Sequence, residues 1–366
     1  MQKPKIRNPL KYSELFCGPG GMGLGAKLAS DEHKKHKIEH LWATDSDKQA
    51  CITYARNICG NENDESVIHS YVEELDYNDL KSPAPDILSF GFPCNDYSLV
   101  GEKKGINGYF GPLYTFGVKG LNEFNPLIFV AENVSGIRSS NEGEAFLKIL
   151  KELRQAGKGY ELTTNEFHFE KYGIPQKRHR VVIVGFRKDS GLKFEVPAET
   201  HDKTNWVTVS RALTNPAIKK NDEHHIFTNN TLKVQERLSL IPEGKNIWDV
   251  QEDEDFPDEL RLNVKKVRLS QIYKRLHSKE PSYTVTGSGG GGTHMYHWKE
   301  NRALTNRERA RIQTFPDWYS FSGGKEDIRK QIGMAVPVEG AKIIFKAVLD
   351  TVSGIEYNSQ DASINF

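Results

Sequence analysis

The sequence predicts a doubly wound α/β fold with a mixed sheet, carrying a smaller irregular domain as an insertion. Three observations lead there. Strand-like and helix-like apolar periods alternate through the first 156 residues, as parallel sheets with crossover helices require. A glycine-rich loop, Phe16-Cys-Gly-Pro-Gly-Gly21, follows the first strand-like run at once. Beyond about residue 190 the alternation stops.

Tyr12 to Phe16 reads as a short strand, and about Met22 to Ser30 as the helix after the glycine loop. His40 to Thr44 is a second strand ending at Asp45, and Asp47 to Asn57 a second helix. Residues 85–94, Pro-Asp-Ile-Leu-Ser-Phe-Gly-Phe-Pro-Cys, form a strand that closes on Cys94. Pro126 to Ala131 is another, ending at Glu132, and Glu144 to Ala156 is an amphipathic helix. Leu162 to Phe169 and Val181 to Phe186 then predict an antiparallel hairpin added to the sheet.

Residues 201–260 are polar and acid-rich, whereas 261–312 carry twelve Lys or Arg against three Asp or Glu. The last helix, about Val338 to Val352, is apolar enough to return to the first domain. The expected division is 1–189, 190–325 and a returning segment 326–366. Arg-Ala-Leu-Thr-Asn occurs at 211 and again at 302, which fits chance or two helix N-caps and no repeat architecture.

The chain has 366 residues with 50 basic and 49 acidic side chains, net +1. Global charge therefore neither announces nor excludes nucleic acid, since only local charge matters at a binding face. The four cysteines, Cys17, Cys51, Cys59 and Cys94, form no Cys-x-x-Cys pair, and no His cluster completes a zinc spacing, so no metal is expected. Met1 to Lys11 holds no apolar signal region and no apolar run reaches membrane length. The simplest expected home is a reducing cytoplasm with the cysteines as thiols.

Candidate chemistry gathers at predicted strand ends, where open α/β sheets bind ligands. Cys94 is a candidate nucleophile. Gly18, Gly20 and Gly21 permit a tight turn and close approach of a cofactor. That loop and Asp45, as a ribose acceptor, suit NAD or S-adenosylmethionine, and Asp45 fits equally as an N-cap. Glu132, half-buried at a strand end, is expected to have its pKa raised by desolvation and to share a proton with a ring nitrogen. Gln176, Arg178 and Arg180 alternate, which places both arginines on one strand face, suited to an anionic or carbonyl-rich substrate.

In this order, the glycine loop, Pro93-Cys94, Glu132-Asn-Val134 and Gln176-x-Arg-x-Arg180 closely resemble the DNA (cytosine-5) methyltransferases, in their prokaryotic restriction-modification form. Arg302-Ala-Leu-Thr-Asn-Arg-Glu-Arg-Ala-Arg-Ile-Gln-Thr-Phe-Pro-Asp317 and Gln331-Ile-Gly-Met-Ala-Val336 extend the likeness to about residues 11–187 and 280–350. The resemblance implies an S-adenosylmethionine-dependent methyltransferase fold with a target-recognition domain. It implies methyl transfer to C5 of a cytosine flipped out of duplex DNA, through a bond between Cys94 and C6. Glu132 would engage N3 and N4, and Arg180, with Arg178, would hold O2 and nearby phosphates.

Phe16, Gly18, Gly20, Gly21, Asp45, Glu73 (or Glu74), Pro93 and Met334 would face the cofactor. Lys103, Lys104, Gln176, Arg275, Thr286, Ser288, Thr293 and His294 would contact DNA, the last four from or beside a glycine run that lets the chain press against bases. Asn95 stands where Gln is usual, Met334 where Asn is frequent, and Cys17 where a small residue is found. The expected partners are duplex DNA and a paired restriction endonuclease, the expected state a monomer, and the expected target a short G/C-rich palindrome such as GGNCC. Two alternatives are a transfer-RNA cytosine methyltransferase and a non-catalytic DNA-binding homologue.

Overall fold

The computed structural model describes residues 4–92, 113–263, 271–287, 289 and 291–365. Pro93, Cys94, Asn95, Lys103, Lys104 and Ser288 lie outside these. The chain divides into two compact units: residues 1–169, 179–199 and 336–366 form the first, and 170–178 with 200–335 the second. The boundaries thus fall at 199/200 and 335/336 rather than at 189/190 and 325/326, and the short stretch 170–178 belongs to the second unit.

In chain order the sheet-forming half comprises β1 (Leu10–Leu15), α1 (Gly21–Glu32), β2 (Ile38–Asp45), α2 (Lys48–Tyr54), β3 (Val67–His69), β4 (Ile87–Phe90), α3 (Tyr114–Phe124), β5 (Ile128–Val134), α4 (Glu144–Gln155), β6 (Tyr160–His168), the two-residue β7 (Gln176–Lys177) and β8 (His179–Arg187). The first unit's seven-stranded sheet runs β3-β2-β1-β4-β5-β8-β6. The first five strands pair in parallel, and β8 is antiparallel to both β5 and β6. The predicted hairpin partners therefore pair as expected, and they close the sheet's edge.

β4 and the first four residues of β5 are buried throughout, as strands covered on both faces must be. One core joins Leu15, Leu88, Phe90, Phe129 and Ile183 to α3 and α4 through Leu121, Phe124, Phe146 and Ile149. The helix Val338–Ser353 packs against α1. Chain order reverses between β1 and β4, and the register Leu15↔Phe90↔Ala131 sets the ends of β1 and β4 beside Ala131 of β5. That reversal is where open α/β sheets leave a crevice. No helix among the described residues is long and apolar enough to cross a membrane.

The second unit holds short helices, Val209–Thr214, Leu232–Ser239, Asn306–Ile312 and Lys325–Met334, around a core of Leu238, Ile241, Ile247, Phe256, Tyr273 and Tyr296. The repeated pentapeptide serves two different ends. At 302–306 its Thr305 is an N-cap with a capping box to Glu308, whereas at 211–215 it closes a helix capped by Thr208.

Candidate active site

β1 delivers the glycine loop by way of a left-handed turn. Phe16 (φ 57°), Gly18 (φ 53°) and Gly20 (φ 92°) all lie at positive φ. Glycine takes this conformation without strain, while Phe16 bears a cost. No atom lies within 4 Å of where a Cβ on Gly18 would stand, so the turn faces open space. Gly20 precedes α1 as its N-cap and Gly21 is its first residue.

Asp45, at the end of β2, accepts from Gly18 N (2.8 Å) and Asp47 N (2.9 Å). The cap of α2 is Asp47, which accepts from Gln49 N and Ala50 N. Asp45 is therefore no helix cap; it ties the end of β2 to the glycine turn. Glu73 is exposed on a single turn, Val72–Glu74. Met334 lies in the second unit at 64% exposure.

One residue beyond that register stand Phe16, Gly91 and Glu132. Glu132 remains inside β5, opposite Val182. A Cβ on Gly91 would come to 3.4 Å from the Glu132 Oε2 atom, so glycine keeps the chain close to this carboxylate. Asn133 Nδ2 donates to Phe92 O (3.1 Å), which binds β5 to the last described residue before Pro93-Cys94. Arg180 of β8 sets its Nε 2.8 Å from Glu132 Oε1, with both side chains about 13% exposed. Its Nη1 donates to His179 O. The half-buried carboxylate thus has a guanidinium partner forty-eight residues away in sequence. Glu132, Met22, Val130, Val182, Val336 and Ala341 line a small apolar recess.

Two further side chains gain roles that the sequence did not assign. Glu14, the penultimate residue of β1, is buried, and that burial pushes its carboxyl up to about 8, with the Asp45 charge adding to the rise. Tyr12 Oη donates to it at 2.9 Å. An acid inside an apolar strand run was the available signal. Asn133 stood inside the Glu132-Asn-Val134 motif, but its role rests on a carbonyl forty-one residues away. Cys17 is buried, which holds its thiol well above the usual range, and burial likewise lifts Cys51 to about 12. Neither is a competing nucleophile.

Three expected contacts are corrected, all within the second unit. Gln176 is fully buried and clamps Gln313 Oε1 (2.8 Å) and Val285 N (2.8 Å). Arg178, 2% exposed, donates to Val285 O (3.1 Å) and Gly333 O (3.3 Å); alternation with Arg180 did not give the two arginines a common role, because the chain passes between units after 178. Arg275, 5% exposed, donates to the carbonyls of Leu238, Ile241, His297 and Glu300 and to Asn301 Oδ1. None of the three presents a side chain to DNA. Thr286, Thr293 and His294 are half-buried.

Of the described residues, Glu166, His168 and His179 could together hold a metal, a set no local spacing reveals because it forms across the β6–β8 pair. The two rings stack at 3.8 Å and 11°, which puts their nitrogens in separate planes. Arg138 already engages Glu166.

A family model described as C-5 cytosine-specific DNA methylase matches residues 10–350. The chain belongs to that family. Among curated relatives of this cytosine-5 methyltransferase is the Type II methyltransferase M.BbvI of Brevibacillus brevis, 56% identical over 97% of this chain and 95% of its own length. Another is the Type II methyltransferase M.NgoFVII of Neisseria gonorrhoeae, 37% identical over 94% and 88%. Of solved structures, a prophage-encoded DNA modification methyltransferase of E. coli superposes with a TM-score of 0.71 at 22% identity, over 94% of this chain and 99% of that one. The S. pombe Dnmt2 methyltransferase superposes at 0.56 and 16% identity. These confirm the S-adenosylmethionine-dependent methyltransferase fold.

Proposed function

We propose that this enzyme methylates C5 of cytosine in a short duplex DNA sequence, acting on a base turned out of the helix and bonded transiently to Cys94. The observation that carries the reading is that Phe16 and Gly91 follow the ends of β1 and β4 in register with Ala131, whose next residue, Glu132, is held by Arg180. A cofactor turn and an acid–guanidinium pair thereby flank the peptide that leads to the thiol.

The turn suits the donor: Gly18 faces open space, Phe16 supplies an apolar wall and Asp45 an oxygen acceptor beside it. S-adenosylmethionine bound there supplies an electrophilic methyl group. The residues do the rest. The Cys94 thiolate forms a bond to C6, and the ring electrons shift toward N3 and C5. Glu132 hydrogen-bonds N4 and delivers a proton to N3, which makes C6 electrophilic. Arg180 orients Glu132 and reaches O2; Arg178, engaged in the second unit, takes no part. After C5 is methylated its proton leaves, the C6–sulfur bond breaks and the ring regains aromaticity. Unstacking the base costs a few kcal/mol.

The names of the relatives support a place beside a restriction endonuclease. The family's habit supports a monomer, and a prokaryotic cytoplasm is the corresponding location. Labelled S-adenosylmethionine offered with duplex DNA or transfer RNA tests the reading: label is expected in DNA, and label in RNA alone, or in neither, overturns it. Cys94→Ser is expected to abolish transfer, and a variant that retained it would defeat the covalent route. Bisulfite sequencing of DNA from expressing cells identifies the recognised word.

A further inference from the structure

Most buried guanidiniums of the second unit have fixed acceptors. Arg237 reaches Leu260 O and the Tyr273 hydroxyl, Arg307 reaches Asp222 and Tyr319 O, and Arg311 pairs with Asp317 through two nitrogens. Arg309 departs from this pattern. It is 1% exposed, and neither Nη1 nor Nη2 has a hydrogen-bond partner among the described residues. Arg329, also buried, leaves its Nε without one, while its Nη2 meets the exposed Glu326.

The two guanidiniums act on the same neighbours. Burial and then the charges of Arg309, Arg329 and Lys325 hold the His294 ring neutral, down at about 4. A Cβ on Gly289 would sit 3.1 Å from Arg329 Nε and 3.3 Å from His294 Nδ1, so a side chain there would take the space beside both donors.

Among the described residues no carboxylate meets Arg309 Nη1 or Nη2, and Arg329 meets only the exposed Glu326 through its Nη2. The carboxylate of Glu308 is held by Arg302 at 2.8 Å through both oxygens and by Thr305 N. Burial keeps the neighbouring phenols of Tyr283 and Tyr296 protonated. An uncompensated buried charge costs several kcal/mol, which a bound anion recovers. A guanine edge carries no charge and would leave the cluster uncompensated, whereas a phosphate matches the guanidinium fork in both charge and shape.

We propose that Arg309 and Arg329, with Lys325 and His294 beside them, form a socket for one backbone phosphate of the DNA substrate. The inference rests on the DNA reading above and adds a positioning contact outside the chemical site.

The test uses the full chain, as wild type, Arg309→Met and Arg329→Met. Binding of a labelled duplex is measured over a salt series. The expected result is that each variant loses about one unit from the slope of log K against log salt, the signature of one lost phosphate contact. Discrimination between DNA sequences should stay as in wild type. In parallel, inorganic phosphate at matched ionic strength should raise the Tm of wild type and of neither variant.

An unchanged slope overturns the socket, even if free phosphate stabilises the protein, since the site would then take free anions only. Lost discrimination at an unchanged slope overturns it in favour of base reading. If Arg309→Met does not fold, Arg329→Met supplies the same readings. Wild-type methyl transfer is scored separately: transfer with unchanged slopes sinks the socket alone, and duplex binding without transfer sinks the enzyme reading alone.

Discussion

In the first unit the seven-stranded sheet and the long helices satisfy backbone donors and acceptors in regular ladders, and side chains near the strand ends are left to face the crevice. In the second unit regular strands amount to little more than residue pairs such as Ser282–Tyr283, and arginine side chains satisfy carbonyls that no ladder reaches. Arg275 alone serves four of them. Buried carbonyls must find partners, and a guanidinium with five donors in a rigid fork can join several segments at once. A basic residue in an irregular domain is therefore poor evidence of a DNA contact unless its donors are free. Arg275 fails that criterion, and Arg309 meets it.

The strongest test of this contrast is Glu132→Gln. Because Glu132 is held at the surface of the crevice rather than inside the core, the change is expected to lower methyl transfer by about 10²–10⁴-fold with little change in Tm. A matching loss of stability would instead place Glu132 among structural groups.

Next in size is Arg275→Ala, expected to destabilise the second unit by about 3–5 kcal/mol through orphaned buried carbonyls, as read by denaturant unfolding. Arg275→Lys should not rescue it, since one ammonium cannot span the same acceptors. A stable Arg275→Ala protein that had lost DNA affinity would break the comparison and restore the contact first expected.

The smallest effect concerns Glu14. Folded, it titrates at about 8 against an ordinary 4.5, so between those pH values the folded chain binds more protons than the unfolded one. Stability must then fall as pH rises through that window. Glu14→Gln is expected to flatten the fall of Tm between roughly pH 5 and 8; an unchanged slope would show that Glu14 is not its source.

Much of the first unit was legible because its information is local. Period-2 apolar runs, glycines after a strand and acids at strand ends lie within a few residues of one another. Where that signal weakens, elements were missed. β3 has only three residues, and α3 carries Gly117 and Gly120 against Phe90 and Leu88, which dilutes its helical propensity. β5 also runs on through Glu132 and Asn133, where a polar residue suggested a stop.

Sequence alone determined the family, the order of the sheet-forming elements and the placing of Phe16 and Asp45 at strand ends, since alternation and strand-end chemistry are written in adjacent residues. Only the tertiary structure decided that Arg180 pairs with Glu132 while Arg178, two residues earlier, clasps carbonyls of Val285 and Gly333. It alone left Arg309 without an anion. A long cationic side chain takes its partner from whatever the fold brings near, across tens to hundreds of residues, and no local spacing encodes that choice.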